Sequence, residues 1–190
     1  MNTESQIPKR ASGWSVVRRQ IADWPKPALI ALVKDLHDAS PENRDFLRAR
    51  FDAENSGGEA LEKYRRKIIE QFFPERGFGK LKLAEARKAI RDYRKATGNV
   101  AGTIELLLTY VENGTEYTQQ FGDINEAFYN SLASALNDLA ALLCGEGREI
   151  YPKCRERLAR VEQLASHIGW GYGDYVHDQV AMLEIELAGP

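Results

Sequence analysis

The residues best suited to chemistry lie in one stretch, residues 110–131. Around one predicted helix junction this stretch combines the carboxylates of Glu112 and Asp123 with three phenols, Tyr110, Tyr117 and Tyr129, and we take Tyr110, Glu112, Asp123 and Tyr129 as the candidate site. A carboxylate pair beside phenols can bind a cationic ligand or transfer protons. The same residues also fit a junction without a ligand, in which the tyrosines are half buried and Asp123 caps a helix. The sequence favours this second interpretation and leaves an enzyme as a hypothesis.

Metal and thiol chemistry have little support in the sequence. Asp174 and His177 can share one helix face, but a di-iron bundle needs Glu-x-x-His pairs from two helices, and none occurs. Cys144 and Cys154 lack metal-ligand spacing, and a lone cysteine in a helix is usually a small apolar residue. We therefore predict no metal, no cofactor and no catalytic residue.

Charge is unevenly distributed along the chain. Residues 63–95 contain twelve basic and four acidic residues, whereas residues 96–147 contain seven acidic residues and no lysine or arginine. Over a helix predicted at about 80–96, the cations recur at helical spacing on the side opposite the apolar face. We call these residues the basic stripe: Lys80, Arg87, Lys88, Arg91, Arg94 and Lys95.

The basic stripe suits phosphate groups or an acidic protein surface. It also fits a solvated face, or a basic helix packed beside the acidic helices of its own fold, and the sequence favours these simpler interpretations. Nothing in the stripe is suited to reading bases, because Tyr93 falls on the apolar face. A protein partner or a homodimer therefore fits better than nucleic acid, which would be bound through phosphate contacts alone.

The elements that must position these residues are helices. Apolar residues recur at three- and four-residue intervals, and no stretch alternates cleanly between apolar and polar residues. Starts and ends are marked by Ser40-Pro41-Glu42, Gly98 and Asn99. The sequence predicts an all-α fold of eight or nine helices in consecutive antiparallel hairpins, forming an irregular bundle or a short solenoid-like stack. The predicted hairpins cover residues 26–54, 58–97, 99–143 and 148–187.

Several local details are also predicted. Asn113-Gly114 breaks or kinks its helix, Gly122-Asp123 forms a capping box with Glu126, and Trp170 folds back onto the core from a glycine-rich loop. The first two helices are expected to bury apolar faces formed by Val17, Ile21, Trp24, Leu29, Leu32, Val33 and Leu36.

Composition places the chain among ordinary globular proteins. Its 190 residues are 43% hydrophobic and 28% charged, and the formal net charge of -2 gives no overall attraction to nucleic acid or anionic membranes. No apolar run can span a bilayer, and the N-terminus lacks the apolar core of a signal peptide. We expect a cytoplasmic protein with a frayed segment at residues 1–12 and a single helical domain at residues 13–190.

Three motifs together resemble a known family. They are Trp24-x-Lys26-x-x-Leu29 leading to Leu36, then Ser40-Pro41-Glu42-Asn43-Arg44-x-Phe46-Leu47, and finally Tyr110-Val111-Glu112-x-Gly114 with Gly122-Asp123-Ile124 and Phe128-Tyr129-x-Ser131. Through them, residues 14–145 resemble an uncharacterised bacterial all-helical family, a domain of unknown function, and the last motif is the most specific. The resemblance implies a helical bacterial protein and supplies no activity, cofactor or catalytic residue.

The sequence leaves three functional hypotheses. The first is a non-enzymatic helical protein-interaction module that self-associates or binds another protein, through the basic segment or a groove between hairpins. The second is an accessory nucleic-acid-binding protein that uses the basic segment at residues 63–95. The third is an enzyme that uses the carboxylates near residues 110–131.

Overall fold

A computed structural model describes residues 13–52 and 58–187, and over these residues it confirms an all-helical fold. The predicted frayed segment at residues 1–12 lies outside the described residues. The described helices are α1 (Gly13–Ile21), α2 (Lys26–Ala39), α3 (Pro41–Asp52), α4 (Glu59–Phe72), α5 (Leu83–Thr97), α6 (Val100–Phe121), α7 (Glu126–Cys144), α8 (Tyr151–Ala165) and α9 (Tyr172–Leu187), with a 3-10 turn at Arg148–Ile150.

Of the helices in residues 13–52 and 58–187, none combines the length and apolar character needed to span a bilayer.

The chain divides into two compact units, residues 1–44 and residues 45–190. The described part of the first unit contains α1, α2 and the start of α3. Its helix start at Ser40-Pro41 is confirmed, because the Asn43 backbone N–H donates to Ser40 Oγ at 3.1 Å. The Asn43 side chain also donates to the Leu36 carbonyl at 2.6 Å, which ties the start of α3 to the last turns of α2.

The second unit is built around α6. This helix packs against α4, α5, α7 and α8, and α9 packs against α7 and α8. The predicted pairing of neighbouring helices is confirmed for α4 with α5, α6 with α7 and α8 with α9. Helix α6 can contact four neighbours because it is apolar around most of its circumference, so it forms the centre of the core.

Helix α6 runs without interruption from Val100 to Phe121, so the predicted break at Asn113-Gly114 is wrong. Gly114 faces α7, where an added Cβ atom would lie 2.3 Å from Leu132 Cδ2. The Asn113 side chain stays within the helix by donating to the Thr109 carbonyl at 2.8 Å. Glycine at this position therefore allows α6 and α7 to approach closely and does not end the helix.

The helix ends show which local signals were interpreted correctly. Gly98 ends α5 in the left-handed conformation, with a φ of 65°, and Asn99 Oδ1 accepts from the Gly102 N–H at 2.8 Å to start α6, both as predicted. The predicted capping box at Gly122-Asp123 is wrong. The capping residue is Asn125, two residues after Asp123, and α7 begins at Glu126. Asn125 Oδ1 accepts from the Phe128 N–H at 3.0 Å.

Candidate functional site

The structure separates the carboxylates of Glu112 and Asp123. Glu112 lies in the middle of α6, and Asp123 follows the end of that helix. At about 1.5 Å of rise per residue, Glu112 and Phe121 are already about 13 Å apart along the helix axis. The two carboxylates also have different partners, so the structure does not bring them together as a pair.

Glu112 is held by a guanidinium group from α8. Arg157 Nε and Nη2 donate to the two Glu112 oxygens at 2.7 and 2.6 Å, and Arg157 Nη1 donates to Glu105 at 2.6 Å. Arg65 of α4 donates to the other Glu105 oxygen at 3.1 Å. The hydrogen bond to Glu112, ahead of the other contacts, raises the pKa of Arg157 above its usual value. This ion network joins α4, α6 and α8 and positions these helices.

Asp123 and the two phenols are also satisfied within the chain. The Tyr129 hydroxyl donates to Asp123 Oδ1 at 2.9 Å, and the hydroxyls of Tyr110 and Ser131 are 2.7 Å apart. Burial is the main cause that raises the pKa of both Tyr110 and Tyr129, so both phenols are neutral at pH 7. Neutral phenols with protein partners hold the α6–α7 junction together and need no ligand to do so.

The basic stripe packs in part against acidic residues of its own fold. Arg87 Nη2 donates to Asp138 Oδ2 at 2.6 Å, and Arg94 forms an ion pair with Glu146. Both carboxylates come from the acidic segment at residues 96–147. Arg87 also lies over the Tyr110 ring, 5.8 Å from its centroid. These contacts give the basic and acidic segments a structural role in joining α5 to the α7 side of the bundle.

The other members of the stripe are exposed, and their charges are less compensated. Lys88 forms an ion pair within α5 with Asp92. Lys80 lies in the loop before α5, because that helix begins at Leu83 and not at the predicted residue 80. Within residues 13–52 and 58–187, Lys80, Arg91 and Lys95 form no ion pair. The uncompensated charge of the stripe is therefore about half of what its sequence suggests.

His177 lies in an open groove of about 440 Å³ between α8 and α9, where its Nδ1 is 2.6 Å from Glu162 Oε1. Across the described ranges, no three or more histidine, cysteine, aspartate or glutamate side chains are grouped so that they can hold a metal ion. The hydrogen bond to Glu162, followed by the charge of that carboxylate, raises the pKa of His177 above its usual 6.5. Glu162 and His177 therefore form an electrostatic contact between α8 and α9.

We expect an NMR titration to give His177 a pKa above 6.5, and Glu162→Gln to lower that pKa because it removes the carboxylate. The stabilising effect of a raised histidine pKa is fully present below the unfolded-state pKa and is lost as the pH rises through the folded-state pKa. Glu156→Gln, on the exposed side of the same helix, is the control and should leave the titration of His177 unchanged. Equal titration curves for the wild type and Glu162→Gln would contradict the contact.

The first two helices differ most from the sequence-based expectation. Neither α1 nor α2 contains a fully buried residue, although Ile21, Leu29 and Leu32 are half-buried. The predicted burial is wrong for the side chains that are exposed: Val17, Trp24, Val33 and Leu36. Trp14 is 65% exposed, Ile30 58% and Leu36 50%. Trp170 is also exposed and does not fold back onto the core. Helical periodicity identified these faces correctly, but it contains no information about what covers them.

Comparison with known proteins identifies no relative of this chain. No protein-family model, no curated protein and no solved structure matches the chain. The resemblance to a bacterial family of unknown function therefore stays a prediction.

Proposed function

We propose that this protein is a non-enzymatic helical interaction module that self-associates through α1 and α2. The observation that carries the proposal is the complete absence of buried residues from these two helices, although each presents several large apolar side chains. Helices of 9 and 14 residues are marginally stable in water without tertiary packing. A second protein surface that covers their apolar side chains would supply that packing.

The exposed apolar area is sufficient for a dimer. The large apolar residues exposed on the first unit are Trp14, Val16, Val17, Trp24, Ile30, Val33 and Leu36. Their exposed fractions correspond to on the order of 500 Å² of apolar surface per chain. A symmetric dimer that covered all seven side chains would bury about twice that area before polar atoms are counted, which is close to the lower limit of about 1,000 Å² for a stable interface.

The charges of the same helices favour a second copy over a strongly charged partner. The cations Arg18, Arg19, Lys26 and Lys34 are interspersed with the anions Asp23, Asp35 and Asp38. A surface with this balance attracts neither a strongly acidic nor a strongly basic protein. Two copies related by a twofold axis can place the cations of one beside the anions of the other.

The other two hypotheses find weaker support. The carboxylates proposed for an enzyme have separate partners inside the fold, and nucleic-acid binding would depend mainly on Lys80, Arg91 and Lys95. The apolar surface of α1 and α2 is the more extensive uncovered feature.

We expect sedimentation equilibrium at up to about 100 μM protein to show a dimer that persists in about 1 M NaCl, because apolar contacts are not screened by salt. The double substitution Trp14→Ser with Ile30→Ser should weaken the dimer at least about tenfold, because it removes two of the most exposed anchors.

Ile185→Ser is the matched control, because Ile185 is 84% exposed on α9 and lies outside the proposed interface. Circular dichroism should show wild-type helicity for Ile185→Ser, and the double variant should lose no more helicity than the unfolding of α1 and α2 accounts for. A monomeric wild type at every concentration would refute the proposal. Dissociation of the dimer by salt would indicate that the basic stripe forms the interface instead.

A further inference from the structure

A cleft of about 300 Å³ lies in the second unit between α5 and α7, with α6 beneath it. Its floor is apolar and is formed by Ile90, Leu107 and Leu142, one residue from each of the three helices, all of them buried. Thr103 also lines the cleft, but its hydroxyl is already used, because it donates to the Asn99 carbonyl at 2.7 Å. The floor can therefore accept an apolar group, because the Thr103 hydroxyl is already hydrogen-bonded within the protein.

The rim of the same cleft is cationic. Arg87, Arg91 and Arg94 lie along one face of α5, and among the described residues Asp138 is the carboxylate that lines the cleft. Arg94 forms an ion pair with Glu146, which does not line the cleft. Arg87 is held in place by Asp138 and by the Tyr110 ring, and its side chain is only 16% exposed. Arg91 is exposed and, among the described residues, forms no ion pair, so its guanidinium is free to bind an anion.

We infer that this cleft binds a small amphipathic anion, with its apolar body on the floor and its carboxylate or phosphate group beside Arg91. The volume is at the lower end of the range for small-molecule sites, which suits a ligand of up to about twenty heavy atoms. An apolar floor beneath a cationic rim excludes neutral polar molecules and cations. No residue of α1 or α2 lines the cleft, so the inference does not rest on self-association.

The probe is the dye 8-anilinonaphthalene-1-sulfonate, an aromatic anion whose fluorescence rises in apolar surroundings. We expect saturable binding at one site, weakened about three- to tenfold by Arg91→Gln. Ala141→Trp should abolish binding, because Ala141 lines the cleft and an indole from this exposed position of α7 would fill it. The neutral analogue N-phenyl-1-naphthylamine should bind about three- to tenfold more weakly than the sulfonate.

Two matched controls test whether the effect is local. Arg66→Gln removes an exposed cation from α4, and Ala84→Trp adds an indole at an exposed position of α5. Neither residue lines the cleft. Both variants should bind the dye like the wild type. Displacement of the dye by decanoate would identify a carboxylate ligand, and displacement by 1-naphthyl phosphate would identify a phosphate ligand.

Three results would overturn the inference. The first is dye binding that survives Ala141→Trp but is lost in the Trp14→Ser and Ile30→Ser double variant, which would place the dye on α1 and α2. The second is equal affinity for the dye and its neutral analogue. The third is displacement by neither competitor. Sedimentation equilibrium tests the dimer without the dye, and Ala141→Trp tests the cleft without changing α1 or α2, so the two proposals can fail separately.

Discussion

Replacing Gly114 with valine should lower the free energy of unfolding by about 3 kcal/mol. A Cβ atom at this position would lie 2.3, 3.0 and 3.2 Å from Leu132 Cδ2, Cδ1 and Cγ, so the whole branched end of that leucine would have to move. Leu132 is fully buried and has no free space to enter. Valine gains a few tenths of a kcal/mol in helix propensity over glycine, which is too little to offset the overlap. Urea unfolding followed by circular dichroism measures the effect.

A double-mutant cycle with Leu132→Ala tests the cause of that loss. Leu132→Ala alone should cost about 2–5 kcal/mol, because it leaves a cavity in the core. Valine at position 114 fills part of that cavity, so the double variant should lose at least about 1 kcal/mol less than the two single losses combined. Ala101→Val, at an exposed position of the same helix, should change stability by no more than about 0.5 kcal/mol. Strict additivity would show that α6 and α7 do not touch at this point.

Gly114 also shows where sequence-based reasoning about the fold stops. A glycine in a helical pattern can end the helix or allow a neighbouring helix to approach, and both uses look the same in a single sequence. Gly98 and Asn99 were interpreted correctly because their effects are local: a left-handed residue ends α5, and a side chain caps the next amides. The effect of Gly114 depends on Leu132, which belongs to a different helix.

In the candidate site, too, the sequence identifies single residues but not their partners on other helices. The sequence singled out Glu112, but its partner Arg157 is 45 residues away, and no local pattern links them. The sequence also suggested that the basic helix packs beside acidic helices of its own fold, and Arg87 with Asp138 is such a contact. It could not select Asp138 from the seven acidic residues of that segment. Pairings of this kind are set by helix packing.

Helices α1 and α2 illustrate a different limit. Their apolar spacing is a correct local signal, but burial depends on what packs against the face. A side chain such as Leu36 fits the pattern of a buried residue and is half exposed. A mismatch between an apolar pattern and its exposure is typical of a surface that binds another protein, and only the structure reveals it.

Replacing Arg157 with methionine should lower the free energy of unfolding by about 2 kcal/mol at pH 7. Methionine keeps much of the apolar packing of the side chain, so the loss reports mainly on the guanidinium. That group makes two hydrogen bonds to Glu112 and one to Glu105, and both carboxylates are more than two-thirds buried. Without it, Glu112 loses its cation, while Glu105 keeps Arg65. The remaining solvent contact keeps the loss below the 3–5 kcal/mol of a fully buried pair.

Arg155→Met, also on α8, is the control that distinguishes this network from an ordinary surface ion pair. Arg155 is 62% exposed and lies 3.3 Å from Glu184, so its replacement should cost less than about 0.5 kcal/mol. Adding Glu112→Gln to Arg157→Met should recover part of the larger loss, because a neutral amide tolerates partial burial better than an unpaired carboxylate does. Equal losses for Arg155→Met and Arg157→Met would contradict the network. Unequal losses, with recovery in the double variant, would show that Glu112, a residue of the candidate junction site, joins α6 to α8.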